Sequence, residues 1–263
     1  TGLPTPGSIG TIFCIGLKID GVVSPSTLPL PLSLAGITVT VAGVGAPLFA
    51  VADLHGYQQI NFQVPVEGTL DGAPAEVVVS QNGSRGSTTV AYDGSTPGAF
   101  FTQNGTQFGI FQHAGSYSQV TQDNPARPGE TVIAYATGLS GNSPPVPTGQ
   151  PTPAMPLSVI RQSVGVLTDE LFLTLNEKGL SNAVYGLQVD TTGQSPIPFM
   201  GLAPGLVGVF QVNFILPQDV PSGNVVVKLV RLICLDGGGG LFGCLRPPPQ
   251  KFRSSQPVLL PVK

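Results

Sequence analysis

Two histidines, His55 and His113, are the side chains of this chain able to trade a proton near neutral pH, and its thiols are Cys14, Cys234 and Cys244. Neither histidine stands in a pattern that would put it to work. His55 sits in Asp53-Leu54-His55-Gly56-Tyr57, ahead of an apolar alternating stretch, and reads as a loop residue. No Gly-x-Ser-x-Gly elbow accompanies either one, and no His-Glu-x-x-His pair occurs. Asp53, Asp71, Asp93 and Asp123 are isolated, without the Asp-x-Asp-x-Asp-Gly spacing that gathers oxygens around calcium. Turn-forming aspartates are the expectation, with a loop calcium site the weaker alternative. Gly201-Leu202-Ala203-Pro204-Gly205 lacks the lysine of a phosphate loop. The sequence thus predicts no catalytic residue, no cofactor site and no metal site: not an enzyme. Asn82-Gly83-Ser84 and Asn104-Gly105-Thr106 fit the glycosylation sequon, yet Asn-Gly turns explain both.

The cysteines suggest a different use. Cys234 and Cys244 flank a Gly-rich tip, residues 235–243, between two apolar runs. A disulfide closing this hairpin-like loop is expected, which would imply an oxidising compartment, two reduced thiols being the alternative. Cys14 lies among Ile12, Phe13 and Ile15 and reads as a buried, inert thiol rather than an intermolecular bridge.

Whatever positions these residues must be built from strands. Val, Ile, Thr and Phe abound, and Lys and Glu never cluster at helical spacing, so an all-β class follows. The chain holds 35 Gly and 27 Pro in 263 residues, but disorder also requires low hydrophobicity and high net charge. Mean hydropathy is +0.28 and net charge −3, so those residues belong to turns, bulges and edge strands. Eleven scattered basic residues argue against nucleic acid as a partner, and no apolar run approaches the ~20 residues of a membrane helix. The opening Thr1-Gly2-Leu3-Pro4 is what signal cleavage would leave, which points to a secreted, extracellular protein.

An internal repeat is the strongest pattern. PGSIGTIFCIGL (6–17) is matched by PGETVIAYATGL (128–139), and QINFQVP (59–65) by QVNFILP (211–217). A third match sets Glu76-Val77-Val78-Val79 against Asn224-Val225-Val226-Val227. In each copy a Pro-Gly turn launches a strand, a Pro-rich stretch follows, and alternating strands such as Gly36–Val41 and Leu171–Leu175 come next. Six or seven short strands per copy predict two tandem immunoglobulin-like β-sandwiches arising by internal duplication. The expected boundaries are 1–95 for the first sandwich, 96–125 for a bridging hairpin around Asn104-Gly105, and 126–263 for the second, with insertions.

These motifs, together with Gly36–Leu48, the APG-x-F-like Thr96–Phe100 and GLAPGLVG-x-x-QVN at 201–213, occur in one order along nearly the whole chain. The chain resembles the uncharacterised C-terminal domain carried by many secreted proteins of Solibacter-type acidobacteria. The resemblance implies export and an immunoglobulin-like β architecture, and no known activity. It departs from that pattern in standing alone and in the segment Arg231–Ser255.

Two functions fit. One is an extracellular structural protein, a self-assembling subunit of a filament or surface layer, joined to copies of itself by strand edges or by a donated terminal segment, Thr1–Ser8 or Gln256–Lys263. The other is an adhesive module of the cell surface that binds a glycan or protein, a reading weakened by the absence of Trp and the presence of only 5 Tyr.

Overall fold

The computed structural model describes residues 5–67, 74–91, 98–139, 141–160, 169–176, 178–180, 196–233 and 251–263. They form strands and turns with no helix, an all-β protein. The chain divides into two compact units. Unit 1 comprises Thr1–Gly94, Pro144–Ser158 and Ala203–Val209, and unit 2 comprises Ser95–Ser143, Val159–Leu202 and Phe210–Lys263.

Unit 1 holds β1 (Ile9–Cys14), β2 (Val22–Val23), β3 (Ser33–Leu34), β4 (Ile37–Val41), β5 (Val44–Ala46), β6 (Leu48–Asp53), β7 (Gln58–Gln63), β8 (Ala75–Gln81) and β9 (Ser84–Val90). One antiparallel sheet runs β1-β7-β6-β2, and the other runs β3-β4-β8-β9 with β5 hairpinned onto β4. The period of two along β4 buries Ile37, Val39 and Val41, and along β7 it buries Ile60 and Phe62. These side chains join one cluster with Leu48, Val51, Val64 and Val77, so the two sheets share a core.

Unit 2 holds β10 (Ala99–Phe100), β11 (Phe111–His113), β12 (Thr131–Thr137), β13 (Asn142–Ser143), β14 (Val159–Ile160), β15 (Asp169–Leu175), β16 (Lys178–Leu180), β17 (Phe199–Leu202), β18 (Phe210–Ile215), β19 (Gly223–Ile233), β20 (Lys251–Ser254) and β21 (Val258–Val262). Here β12-β18-β17-β14 repeats the order β1-β7-β6-β2. The register repeats as well. Ile9 faces Gln63 as Thr131 faces Ile215, and Cys14 faces Gln58 as Ala136 faces Phe210. Ala52 faces Gln59 as Gly201 faces Gln211.

The repeated residues have local reasons. Gly7 and Gly129 both hold φ of +80°, which favours glycine, and their amides donate to Val64 and Leu216 at 2.8 Å. In both QxN motifs the glutamine donates Nε2 to the asparagine Oδ1 at 2.9 Å, Gln59 to Asn61 and Gln211 to Asn213. Between them Ile60, Phe62, Val212 and Phe214 are buried. The motif is therefore an alternation with a polar outer face that satisfies itself.

The third match is offset in the structure. The Ala42 amide bonds to the Glu76 carbonyl and the Asn176 amide to Val226, so Glu76 stands where Val226 does, two residues from its sequence match. A slip of two keeps every side chain on its own face.

The Asn104-Gly105 hairpin forms, with Thr102 bridged to Gly109 and positive φ at both turn residues. Its arms belong to unit 2, where β10 and β11 both pair with β12, rather than standing apart as a bridge. Pro144–Ser158, from the Pro-rich stretch of the second copy, is part of unit 1: Gly149 donates its amide to Gln63 at 2.6 Å and accepts from Leu30 at 2.9 Å.

Candidate functional site

In unit 1, β1 and β9 are the margins of their sheets, and among the described residues no strand pairs with the second side of either. A sheet margin of this kind presents backbone donors and acceptors on which a further strand can pair. All of β9 except Val90 is exposed. The Asn82-Gly83 turn, φ +49° and +85°, launches it directly from β8.

Between these margins lies a groove of about 640 Å³ with an apolar floor of Ile12, Cys14, Leu17, Val77 and Val79. Gln81 fixes one end. Its carboxamide is buried, accepts from the Lys18 amide at 2.8 Å, and donates to the carbonyls of Lys18 (2.9 Å) and Ala35 (3.1 Å). The Lys18 backbone is thereby tied to the end of β8. Lys18 and Arg85 are the charged residues of the lining, which includes no carboxylate. Arg85 also reaches Glu76 at 3.3 Å, an exposed pair worth little in water.

Cys14 is half-buried in this floor, and burial pushes its thiol above the ordinary value. Beside it Phe13 (63% exposed) meets Tyr57 edge to face at 5.8 Å, and Ile15, just past β1, is 80% exposed; both also line the groove.

Unit 2 shows the same pair of margins closed. β12, which matches β1 in register, carries β10 and β11 on the side that β1 leaves open. The hairpin also reaches the other sheet: Gly109 donates to the Leu259 carbonyl at 3.1 Å, and the Leu259 amide donates to Gln107 at 2.8 Å. Two of its aromatic side chains turn inward. Phe100 and Phe111 are buried, with ring centroids 6.1 Å apart, and Phe111 lies 6.3 Å edge to face on Phe214. Facing them on β12 are the small Ala136 and Ala134, where β1 has Cys14 and Ile12. Residues 98–113 are thus a plug, and unit 1 has the socket without one.

The polar residues singled out in the sequence lie elsewhere. His55 occupies a turn with φ of +55°, and its amide donates to Asp53 Oδ1 at 3.3 Å. Asp53 also accepts from Gln58 at 3.2 Å, as a turn-forming carboxylate does. His113, on β11, has Nδ1 at 2.9 Å from Glu130 Oε1 and Nε2 at 3.2 Å from the Asn124 carbonyl. Both ring nitrogens face oxygen acceptors, which leaves neither aimed at a nucleophile. Asn104 is an exposed turn residue and Asp123 lies exposed in a loop. Asp71, Asp93, Cys234 and Cys244 lie outside the described residues. Among the described residues no cluster of three His, Cys, Asp or Glu side chains forms, and no helix is long and apolar enough to cross a membrane.

No family model matches the chain, and no curated protein matches it. Among solved structures it is similar to an endo-fucoidan hydrolase, MfFcnA9, from glycoside hydrolase family 107, at 12% identity and a TM-score of 0.15. The match covers 97% of this chain and 32% of that one, so this chain spans about a third of that enzyme's length. A likeness of that degree carries no argument.

Proposed function

We propose that this protein is an extracellular structural subunit that joins its neighbours by strand addition, as a component of a filament or surface layer. The observation that carries this reading is the groove of unit 1, with an apolar floor between two strand margins on which no further described strand pairs, where the matching place in unit 2 is filled. An extended chain laid there would satisfy backbone groups on both margins and cover the floor in one step. Low charge and a complement of only 2 histidines agree with a role in contact rather than catalysis. Export, a disulfide between Cys234 and Cys244, kinship with the acidobacterial secreted domains and origin of both units from one duplicated sandwich belong to the same proposal. The shared sheet order and register support the last of these.

Of the two terminal segments considered as donors, the C-terminal one is in use within its own unit. β21 pairs with β19, and Val258, Leu260 and Val262 are buried. Thr5 and Ser8 are likewise buried, with the Ser8 amide donating to Thr5. Addition at the margins of unit 1 is therefore favoured over surrender of either segment. The test is multi-angle light scattering across concentration with electron microscopy of native material. Oligomers that grow with concentration support the proposal, and single particles throughout defeat it.

An adhesive module is the second reading, favoured by the exposed Phe13–Tyr57 pair. The rings stand at 68° to one another, so a single sugar face cannot stack on both. A glycan array without hits would remove the carbohydrate form of it.

A further inference from the structure

Unit 2 reveals what kind of segment the unit 1 groove would accept. The plug 98–113 runs along β12, touches β21 at Leu259, and sends Phe100 and Phe111 inward opposite Ala136 and Ala134. The two units agree in the register of β12–β18 and β1–β7, so β1 offers the same backbone pattern to an incoming strand. The side chains that would meet the newcomer differ. Ile12 stands in place of Ala134 and Cys14 in place of Ala136. Both are half-buried, whereas Ala134 and Ala136 are covered by the plug of their own unit. A phenylalanine facing Ile12 would add bulk to a place already part-filled, while a valine there would conserve volume across the pair. At the rim, Lys18 and Arg85 without a lining carboxylate disfavour a basic segment.

We propose that the unit 1 groove is a binding site for an extended polypeptide segment of another chain, built like residues 98–113, with a medium-sized aliphatic side chain opposite Ile12 and no basic residues. The inference rests on the reading of the groove as a strand-addition site. It adds the chemistry of the occupant. Each chain has two such sockets and, among the described residues, one plug. The segment that fills unit 1 must then come from outside unit 2 of the same chain.

The probes are synthetic peptides of residues 98–113 carrying Phe111→Val or Phe111→Asp, added to the monomeric fraction of the full chain. Binding is read by calorimetry, and groove occupancy by mass-spectrometric alkylation at Cys14. The F111V peptide is expected to bind saturably and slow Cys14 alkylation several-fold. The F111D peptide should bind at least about tenfold more weakly, since it brings a charge onto the apolar floor. Equal binding of both peptides, or binding that leaves Cys14 alkylation unchanged, overturns the proposal. So does no binding by either peptide, even if the chain forms filaments, in which case self-assembly stands and the occupant is wrong. F111V binding by a chain that stays monomeric at every concentration supports the groove and removes self-assembly instead.

Discussion

Phe111→Ala should separate the plug from the unit it closes. The Phe111 ring is 0% exposed, lies 6.3 Å edge to face on Phe214 and 6.1 Å from Phe100, and stands across from Ala134. Removing a fully buried phenylalanine ring costs about 3–5 kcal/mol, from lost burial plus the cavity left behind. Each ring pair adds about 0.5–1.5 kcal/mol to what area alone would give, so the upper half of that range is expected. The small Ala134 and Ala136 opposite cannot expand to refill the space. Phe13→Ala is the matched control. Its side chain is 63% exposed, and its loss should cost under about 1 kcal/mol. Urea denaturation followed by far-ultraviolet circular dichroism measures both variants. The F111A protein should also gain a site for the unmodified 98–113 peptide, whose Phe111 suits the small Ala134. If the two variants lose stability equally, to within about 1 kcal/mol, the hairpin is not part of the core and the reasoning fails.

Two further substitutions test the turns and one surface contact. Gly129→Ala places a methyl group against the Gln218 side chain at a φ of +80°, and should cost more than about 1 kcal/mol in thermal unfolding; Gly16→Ala, in open space at φ +93°, should cost only the backbone strain. Burial by itself would raise the Glu67 carboxyl, but hydrogen bonds from the hydroxyl and amide of Thr148, with those of the Glu67 and Val66 backbone, outweigh it and hold the group below its ordinary 4.5. A carboxylate lowered on folding stabilises above its unfolded value and loses that contribution as pH falls through the folded one. Thr148→Val should therefore cost a few tenths of a kcal/mol near pH 7, about what an exposed contact is worth, and less once Glu67 is protonated in the folded protein, when only the bond from the Val66 amide to Thr148 Oγ1 (2.9 Å) is left to lose. A gap between wild type and variant that does not narrow in strong acid would contradict this.

Local patterns in the sequence carried much of the fold. Alternation marked β4 and β15, the repeated QxNF motif marked β7 and β18, Pro-Gly marked the turns before β1 and β12, and Asn-Gly marked the β8–β9 turn and the tip of the plug. Each of these depends on neighbours in the chain. The path of Pro144–Ser158 into unit 1 was hidden, because it is fixed by contacts such as Gly149 with Gln63 that span 86 residues. The groove was hidden for a related reason. An edge is defined by a strand that is missing, and sequence does not say which side of β1 stays unpaired. A trace of it was present in the exchange of Ala134 and Ala136 for Ile12 and Cys14 at matching places of the repeat. Cys14 was expected to be buried; it is half-buried, in the groove floor rather than the closed core.

Hydrogen–deuterium exchange of the monomer, resolved to single strands, tests the open margin of unit 1 most directly. Amides of β9 should exchange orders of magnitude faster than those of β21, its counterpart beside the plug, and should slow when the F111V peptide is added. Equal protection of β9 and β21 in the peptide-free monomer would mean that the margin is already closed, and would contradict the account.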